Sequence, residues 1–342
     1  MALNLSFLKS AVKNIMPKFV VDGYHFLMAL VAAAYYRFPS RKIKVIGVTG
    51  TNGKSTTTIM IAAILSRAGF KTAVSSSIEF RIGDRVWKNR SRMTMPGRFA
   101  LQKFLRRAAD ENCRYAVVEV SSEGIVQHRH RFIRFETAAL TNLTPEHIES
   151  HGGFGNYRAA KGKLFAACRN IHVINGDDPN CEFFATFPAA RRYIYGVCHS
   201  FSGRISAEKI TAAKVKSSLG GSSFELEGTA FKLRLPGEFN IYNALAAIAV
   251  ARGQGVSLEV CRAALENIGS IPGRMEKVFA GDFEVLVDYA VTPDSLEKAY
   301  QTARRGLTGK LICVLGACGG GRDRWKRPVM GHLAQKYCDR VF

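Results

Sequence analysis

The stretch that most restricts what this chain can fold into runs from Ile43 to Gly69. It reads Ile-Lys-Val-Ile-Gly-Val-Thr-Gly-Thr-Asn-Gly-Lys-Ser-Thr-Thr-Thr and then Ile-Met-Ile-Ala-Ala-Ile-Leu-Ser-Arg-Ala-Gly. A short apolar run, a glycine-rich turn and a longer apolar segment closed by glycine predict a buried strand, a tight loop and a helix. Such a loop aims backbone N–H groups and the positive end of a helix at an anion. Lys54 adds a mobile charge for outer phosphates, and Ser55 offers a hydroxyl to Mg²⁺. Gly50, Thr51, Asn52, Gly53, Lys54, Ser55 and Thr56 are therefore the candidate ATP site. The strict phosphate-loop spacing asks for glycine at position 48, which is Val48 here, so the general pattern is met in part.

A length of 342 residues, 47% of them hydrophobic, predicts two or three domains with real cores. Lys and Arg exceed Asp and Glu by 49 − 27 = 22. Such a balance favours anionic partners: nucleotides, acidic sugars, nucleic acid or an anionic membrane surface. The charges are dispersed and no helix-turn-helix, zinc-finger or RNP pattern occurs, so nucleic acid is not expected as a partner. Eight scattered cysteines without a Cys-x-x-Cys pair, and no secretory signal, predict reduced thiols in a cytosolic protein.

Residues 1–42 are basic and partly apolar. Tyr24 to Tyr36 predicts a helix closed by Arg37-Phe-Pro-Ser; its 13 residues fall short of the ~20 that cross a bilayer. It either docks on the next domain or lies at a membrane interface, and the sequence leaves both open. After the phosphate loop come a strand at 71–75, a hairpin through Gly83-Asp84 and a helix from about Phe99 to Ala109. Tyr115-Ala-Val-Val-Glu-Val-Ser-Ser is an apolar strand with an acid near its C-terminal end, the edge where ligands sit in an open α/β sheet. That makes Glu119 the best placed carboxylate for metal.

A strand at 137–142 leads into a segment in which Glu146, His147, Glu149, His151, Lys161 and Lys163 fall within 18 residues. On the residues alone, His147 is a possible metal ligand or a satisfied structural histidine, and Lys161 a possible charge partner. Residues 193–235 alternate apolar and polar positions and predict an antiparallel appendix to the sheet. A helix follows from Pro236, and a boundary is expected near Gly269-Ser-Ile-Pro-Gly. Strands at 283–289 and 311–316 flank a helix from about Pro293 to Ala303, the beginning of a second, Rossmann-like domain.

Six ordered motifs then agree. Glu119-Val-Ser-Ser-Glu-Gly-Ile-Val-Gln-His-Arg, Thr141-Asn-Leu-Thr-Pro-Glu-His-Ile-Glu-Ser-His-Gly, Tyr157-Arg-Ala-Ala-Lys-Gly-Lys-Leu-Phe, Phe239-Asn-Ile-Tyr-Asn-Ala-Leu-Ala-Ala, Pro272-Gly-Arg-Met-Glu and Asp288-Tyr-Ala-Val-Thr-Pro-Asp-Ser-Leu resemble those of the Mur ligase family, and within it the MurE branch. The resemblance covers about residues 43–342. It implies an α/β fold: a short helical segment at 1–42, a central phosphate-loop ATPase-type domain at 43–270 with a mostly parallel sheet and antiparallel appendix, and an incomplete Rossmann-like domain at 271–342.

The implied chemistry is ATP-dependent ligation in peptidoglycan synthesis. ATP phosphorylates the terminal carboxylate of UDP-N-acetylmuramoyl-L-alanyl-D-glutamate, and the amino group of the third stem residue attacks the acyl phosphate. By motif match, Lys54 and Ser55 take phosphates and Mg²⁺, and Glu119 and His147 take magnesium. Lys161 matches the lysine carbamylated in the family, which then carries metal; Lys163 is the nearby decoy. Asn243 corresponds to the adenine side, Arg274 to the phosphates and Asp288 to the ribose. Thr94, Ser122, Gln127 and Arg129 match muramoyl-peptide contacts.

Departures are Glu123 where the family often has histidine, Glu146 for the usual aspartate, and Val291 for the histidine of Tyr-Ala-His-Thr-Pro-Asp. The 42 residues before the central domain are too few for a uridine-nucleotide-binding domain. A lipid-linked acceptor, with Tyr24–Tyr36 as a peripheral contact on the inner face of the membrane, is the corresponding expectation. Alternatives are a folylpolyglutamate-type ligase and a non-catalytic ATP-binding scaffold.

Overall fold

The computed structural model describes residues 16–91, 93–198, 206–316 and 323–342. Its centre is strand β1 (Lys44–Thr49), whose Val45, Ile46 and Val48 are fully buried. Burial on both faces is what a continuous apolar run means in a parallel sheet. The following strands are β2 (Thr72–Ser75), β3 (Glu79–Ile82), β4 (Arg85–Lys88), β5 (Tyr115–Glu119), β6 (Phe135–Leu140), β7 (Ile171–Asn175), β8 (Arg191–Gly196) and β9 (Glu208–Thr211). They join β1 in one sheet of order β4-β3-β2-β5-β1-β6-β7-β8-β9. From β2 to β9 every pairing is parallel; β3 and β4 form an antiparallel edge.

Side chains alternate between the two faces, as the pleat requires. Ile46, Val48, Val117 and Val173 pack with the Lys54–Arg67 and Glu238–Gly253 helices. Val45, Val118, Ala138 and Leu140 pack with the Arg98–Asp110 and Phe154–Ala167 helices. The register sets Val48 beside Glu119 and Thr49 beside Leu140, so β5, β1 and β6 end together and their loops share one edge.

Three expectations are corrected. The first helix spans Lys18–Tyr35, starting straight after Pro17 rather than at Tyr24, because proline's fixed φ suits a helix entrance. The appendix is narrower than residues 193–235: β8 and β9 belong to the parallel sheet, and only β10 (Ala213–Ser218), β11 (Gly221–Leu226) and β12 (Thr229–Leu233) are antiparallel. They form a separate three-stranded sheet that seals its face with Phe224 and Phe231, stacked at 4.7 Å. In the last segment, β14 (Glu284–Val287) pairs antiparallel with β13 (Glu276–Ala280) instead of with the 312–313 strand. That strand, β15 (Ile312–Cys313), pairs in parallel with β16 (Arg340–Val341). The helices Pro293–Arg304 and Lys326–Tyr337 pack over them through Leu296, Tyr300, Met330 and Ala334. Most of the glycine-rich segment that follows residue 316 lies outside the described residues.

Candidate active site at the C-terminal edge of the sheet

The loop from Gly50 to Gly53 leaves β1 at this edge and enters the Lys54–Arg67 helix. Gly50 (φ +150°) has no room for a side chain, since a Cβ there would lie 1.9 Å from Thr141 Oγ1. Gly53 (φ +82°) is left-handed, and a Cβ there would lie 2.3 Å from Asn243 Oδ1. The two glycines thus let the loop settle on the β6 loop and on the Glu238–Gly253 helix. Thr141 Oγ1 donates to the Asn52 carbonyl, and the Asn142 side chain accepts from Asn52 N–H.

Two lysines meet at one carbonyl. Lys54 Nζ donates to the oxygens of Gly50 and Thr51 at 3.1 and 2.8 Å, and Lys161 Nζ to that of Gly50 at 2.8 Å. Lys161 is 2% exposed. Burial first, and the Lys54 charge second, push its ammonium far below the ordinary lysine range. Tyr157 supports it, with its ring 4.7 Å from the amine and its hydroxyl 3.0 Å from Thr51 Oγ1. Lys163, two residues on, lies on a different side of the helix and is exposed.

Glu119, at the end of β5, is fully buried. Its carboxylate accepts from Ser77 N–H at 2.9 Å, and Ser77 Oγ lies 2.9 Å from it and 3.2 Å from Thr94 Oγ1. Thr94 is thereby placed beside Glu119 through a residue that sequence reasoning missed. His147 has left-handed backbone (φ +57°) and precedes the short Ile148–His151 helix, with its ring 6.4 Å from that of Tyr157. Ser122 Oγ lies 3.1 Å from His151 Nε2. Gln127 Oε1 accepts from Arg129 at 2.7 and 3.2 Å, and Arg129 also bonds the Met95 carbonyl.

The C-terminal segment closes over this edge. Arg274 Nη2 donates to Ser55 Oγ at 3.3 Å, its guanidinium lying over the Tyr289 ring. Asp288 accepts from Met275 N–H, and burial raises its carboxyl above the ordinary aspartate value. Asn52 Nδ2 reaches both Thr292 and Asp294 at 3.1 Å, so the residues flanking Val291 still grip the phosphate loop. Glu146 and Lys326, both buried, form an ion pair at 2.7 and 2.9 Å, and Asp323 accepts from the N–H groups of Ile148 and Glu149. No local pattern could have announced Lys326, since its partner lies 180 residues away. Asn243 sits beneath the loop, accepting from Thr57 Oγ1 and donating to Asn240.

The donors at this edge are of the chemical type that a hard divalent ion takes. Glu119 and the Ser55 hydroxyl are oxygen ligands of the type Mg²⁺ takes, and Thr144 Oγ1, on the loop that packs against Thr51, is buried without a partner. Among the described residues, no three His, Cys, Asp or Glu side chains converge to hold a metal by themselves.

The chain is similar to known proteins throughout this region. A model of the Mur ligase middle domain matches residues 48–251, and one of the Mur ligase glutamate ligase domain matches residues 273–342. A UDP-N-acetylmuramoyl-L-alanyl-D-glutamate–2,6-diaminopimelate ligase of Syntrophomonas wolfei is 42% identical over 324 residues, 91% of this chain and 64% of that protein. A UDP-N-acetylmuramyl-tripeptide synthetase of Roseiflexus is 39% identical over 95% of this chain and 66% of its own length. The chain thus spans about two thirds of the length of these curated relatives. A solved diaminopimelate ligase structure superposes with a TM-score of 0.66 at 29% identity, covering 87% of this chain and 61% of that one. A folylpolyglutamate synthase of Mycobacterium tuberculosis shares the fold at 17% identity, TM-score 0.72, over 92% of this chain and 78% of its own. With two family models in sequence order over the phosphate loop, the buried lysine and the closing segment, the chain belongs to the Mur ligase family.

Proposed function

We propose that this protein is an ATP-dependent amino-acid ligase of peptidoglycan synthesis, working in the cytoplasm. It adds the third stem residue to UDP-N-acetylmuramoyl-L-alanyl-D-glutamate. The observation that carries the reading is the meeting of Lys54 and the buried Lys161 on the Gly50 carbonyl, with Glu119 at the neighbouring strand end. The names of the relatives support the substrate class.

In this reading the backbone N–H groups of residues 50–56, Lys54 and Arg274 hold the phosphates, Asp288 holds the ribose, and Asn243 stands toward the adenine side while bracing Gly53. Phosphoryl transfer to the substrate carboxylate develops negative charge, which fixed cations stabilise. The amine of the incoming amino acid then attacks the acyl carbon and phosphate leaves. Thr94, Ser122, Gln127 and Arg129 orient the muramoyl peptide. Glu119, Ser55, His147 and carbamylated Lys161 would hold Mg²⁺, which supplies charge neutralisation at the transferred group. A neutral amine is the form that adds CO₂, releasing a proton as the carbamate forms, and burial shifts Lys161 toward that form.

A second reading, a lipid-linked acceptor with Tyr24–Tyr36 as a peripheral membrane contact, is favoured by one observation. The Lys18–Tyr35 helix braces the turn that carries Gln127 and Arg129, through His25 with Arg98 and Asp22 with His128. Phosphate release is the test, with ATP, Mg²⁺, UDP-muramoyl-dipeptide and a panel of amino acids, and Lys161→Ala as control. Release that requires both muramoyl peptide and one amino acid supports the ligase and names the residue added. Turnover only with a lipid-linked acceptor selects the second reading, and ATP binding without turnover on either overturns both.

A further inference from the structure

The Lys18–Tyr35 helix has the wrong outer face for a helix bathed in water. Amphipathic surface helices turn charge outward. Here Tyr24, Leu27, Val31 and Tyr35 form a stripe at i, i+3, i+7 and i+11 that is 56, 56, 41 and 72% exposed. Phe19 at 77% and Phe99 of the neighbouring helix at 41% extend it. The opposite face, with Ala29, Ala32 and Ala33, is buried against the Arg98–Asp110 helix. Asp22 is the helix's one acid, and it is bonded to His128.

Five residues past the helix end at Tyr35, the chain enters a cleft of about 740 Å³ at the N-terminal edge of β1, β5 and β6, the edge opposite the candidate active site. Arg41, Lys42, Arg114 and Arg134 line it and are exposed. Among the described residues no carboxylate lies within ion-pair distance of these four. The cleft's acids are already engaged, Glu136 with Lys44 at 3.0 Å and Asp110 with Arg106 at 2.6 Å. Lys18 precedes the stripe and Arg37 follows it. An apolar stripe that leads along the chain into a cleft of uncompensated cations complements one surface that is apolar within and densely anionic at its boundary. No helix among the described residues is long and apolar enough to cross a membrane.

We propose that this face docks on an anionic lipid bilayer, the stripe entering the acyl boundary and the cationic cleft taking lipid phosphates. Two weak anchors acting together are what reversible membrane binding requires. The helix bears directly on the Gln127–Arg129 turn, so docking would bring that turn close to the bilayer surface. The inference deepens the second reading above, in which this helix is the membrane contact, and its readout, binding rather than turnover, separates its failure from that of the ligase reading.

The test is sedimentation of the full chain with vesicles of equimolar phosphatidylglycerol and phosphatidylcholine, against phosphatidylcholine alone. The expected result is binding to the anionic vesicles only, weakened as salt shortens the reach of the charges. Leu27→Glu/Val31→Glu and, separately, Arg41→Glu/Lys42→Glu/Arg134→Glu should each weaken it by at least about tenfold. All five positions are exposed, so unchanged thermal unfolding shows that the variants still fold. Equal binding by the parent and both variants, no binding by the parent, or loss of self-association in the stripe variant without vesicle binding would each overturn the proposal. Competition by inorganic phosphate that abolishes binding while the stripe variant binds normally would also overturn it, reducing the cleft to a free-anion site.

Discussion

The two edges of the same three strands carry positive charge in opposite ways. At the C-terminal edge, Lys54 and Lys161 are held on backbone carbonyls and Lys161 is buried. At the N-terminal edge, Arg41, Lys42, Arg114 and Arg134 stand in an open cleft. Solvent screens exposed charges and leaves their chemistry ordinary, whereas burial alters which protonation state is stable. In the proposed readings, the same residue types serve reactivity at one edge and attraction at the other.

The largest effect expected from breaking this contrast is at Lys161. Lys161→Ala should lower ligase turnover by about 10²–10³ or more, the scale for losing one fixed electrostatic group, while vesicle binding is unchanged. Gly50→Ala comes next, because its Cβ must displace Thr141 and the Asn142 backbone. A strain of about 1–3 kcal/mol should weaken nucleotide affinity by roughly tenfold or more, read by calorimetric titration.

Lys326→Met tests whether the C-terminal edge is held closed by charge. Removing one partner of a buried pair strands Glu146, at a cost of about 3 kcal/mol. A lowered unfolding midpoint, restored by Glu146→Gln/Lys326→Met, would attribute the loss to the stranded carboxylate rather than to lost packing.

The pH dependence should come from buried groups. His130 is 2% exposed, and burial, followed by the charge of Arg131, pushes its imidazolium down to about 3. The unfolded chain then binds more protons between the ordinary histidine value of about 6.5 and 3. The stability tied to neutral His130 is complete above that window and is lost as pH falls through it. Urea midpoints from pH 7.5 down to 4.5 should decline less steeply in His130→Phe. The smallest effect is expected at the opposite edge, where Arg134→Ser should change stability by no more than about 0.5 kcal/mol and turnover not at all.

Local chemistry determined much of this molecule by itself. The strand, glycine turn and helix at 43–69, the hairpin at Gly83-Asp84 and the strand ending in Glu119 depend on neighbours in sequence, and the chain reads them correctly. The order of motifs along the chain likewise carried the family. Pairings between distant segments were decided only in three dimensions. Whether residues 284–287 join the 312–313 strand or fold back on 276–280 depends on which edge is free, and their apolar pattern suits either. Ser77 under Glu119, Thr292 and Asp294 on Asn52, and Lys326 on Glu146 are single polar residues without periodicity. They become a site because the register of β5, β1 and β6 ends three loops together, and because the closing segment must satisfy the polar groups it covers.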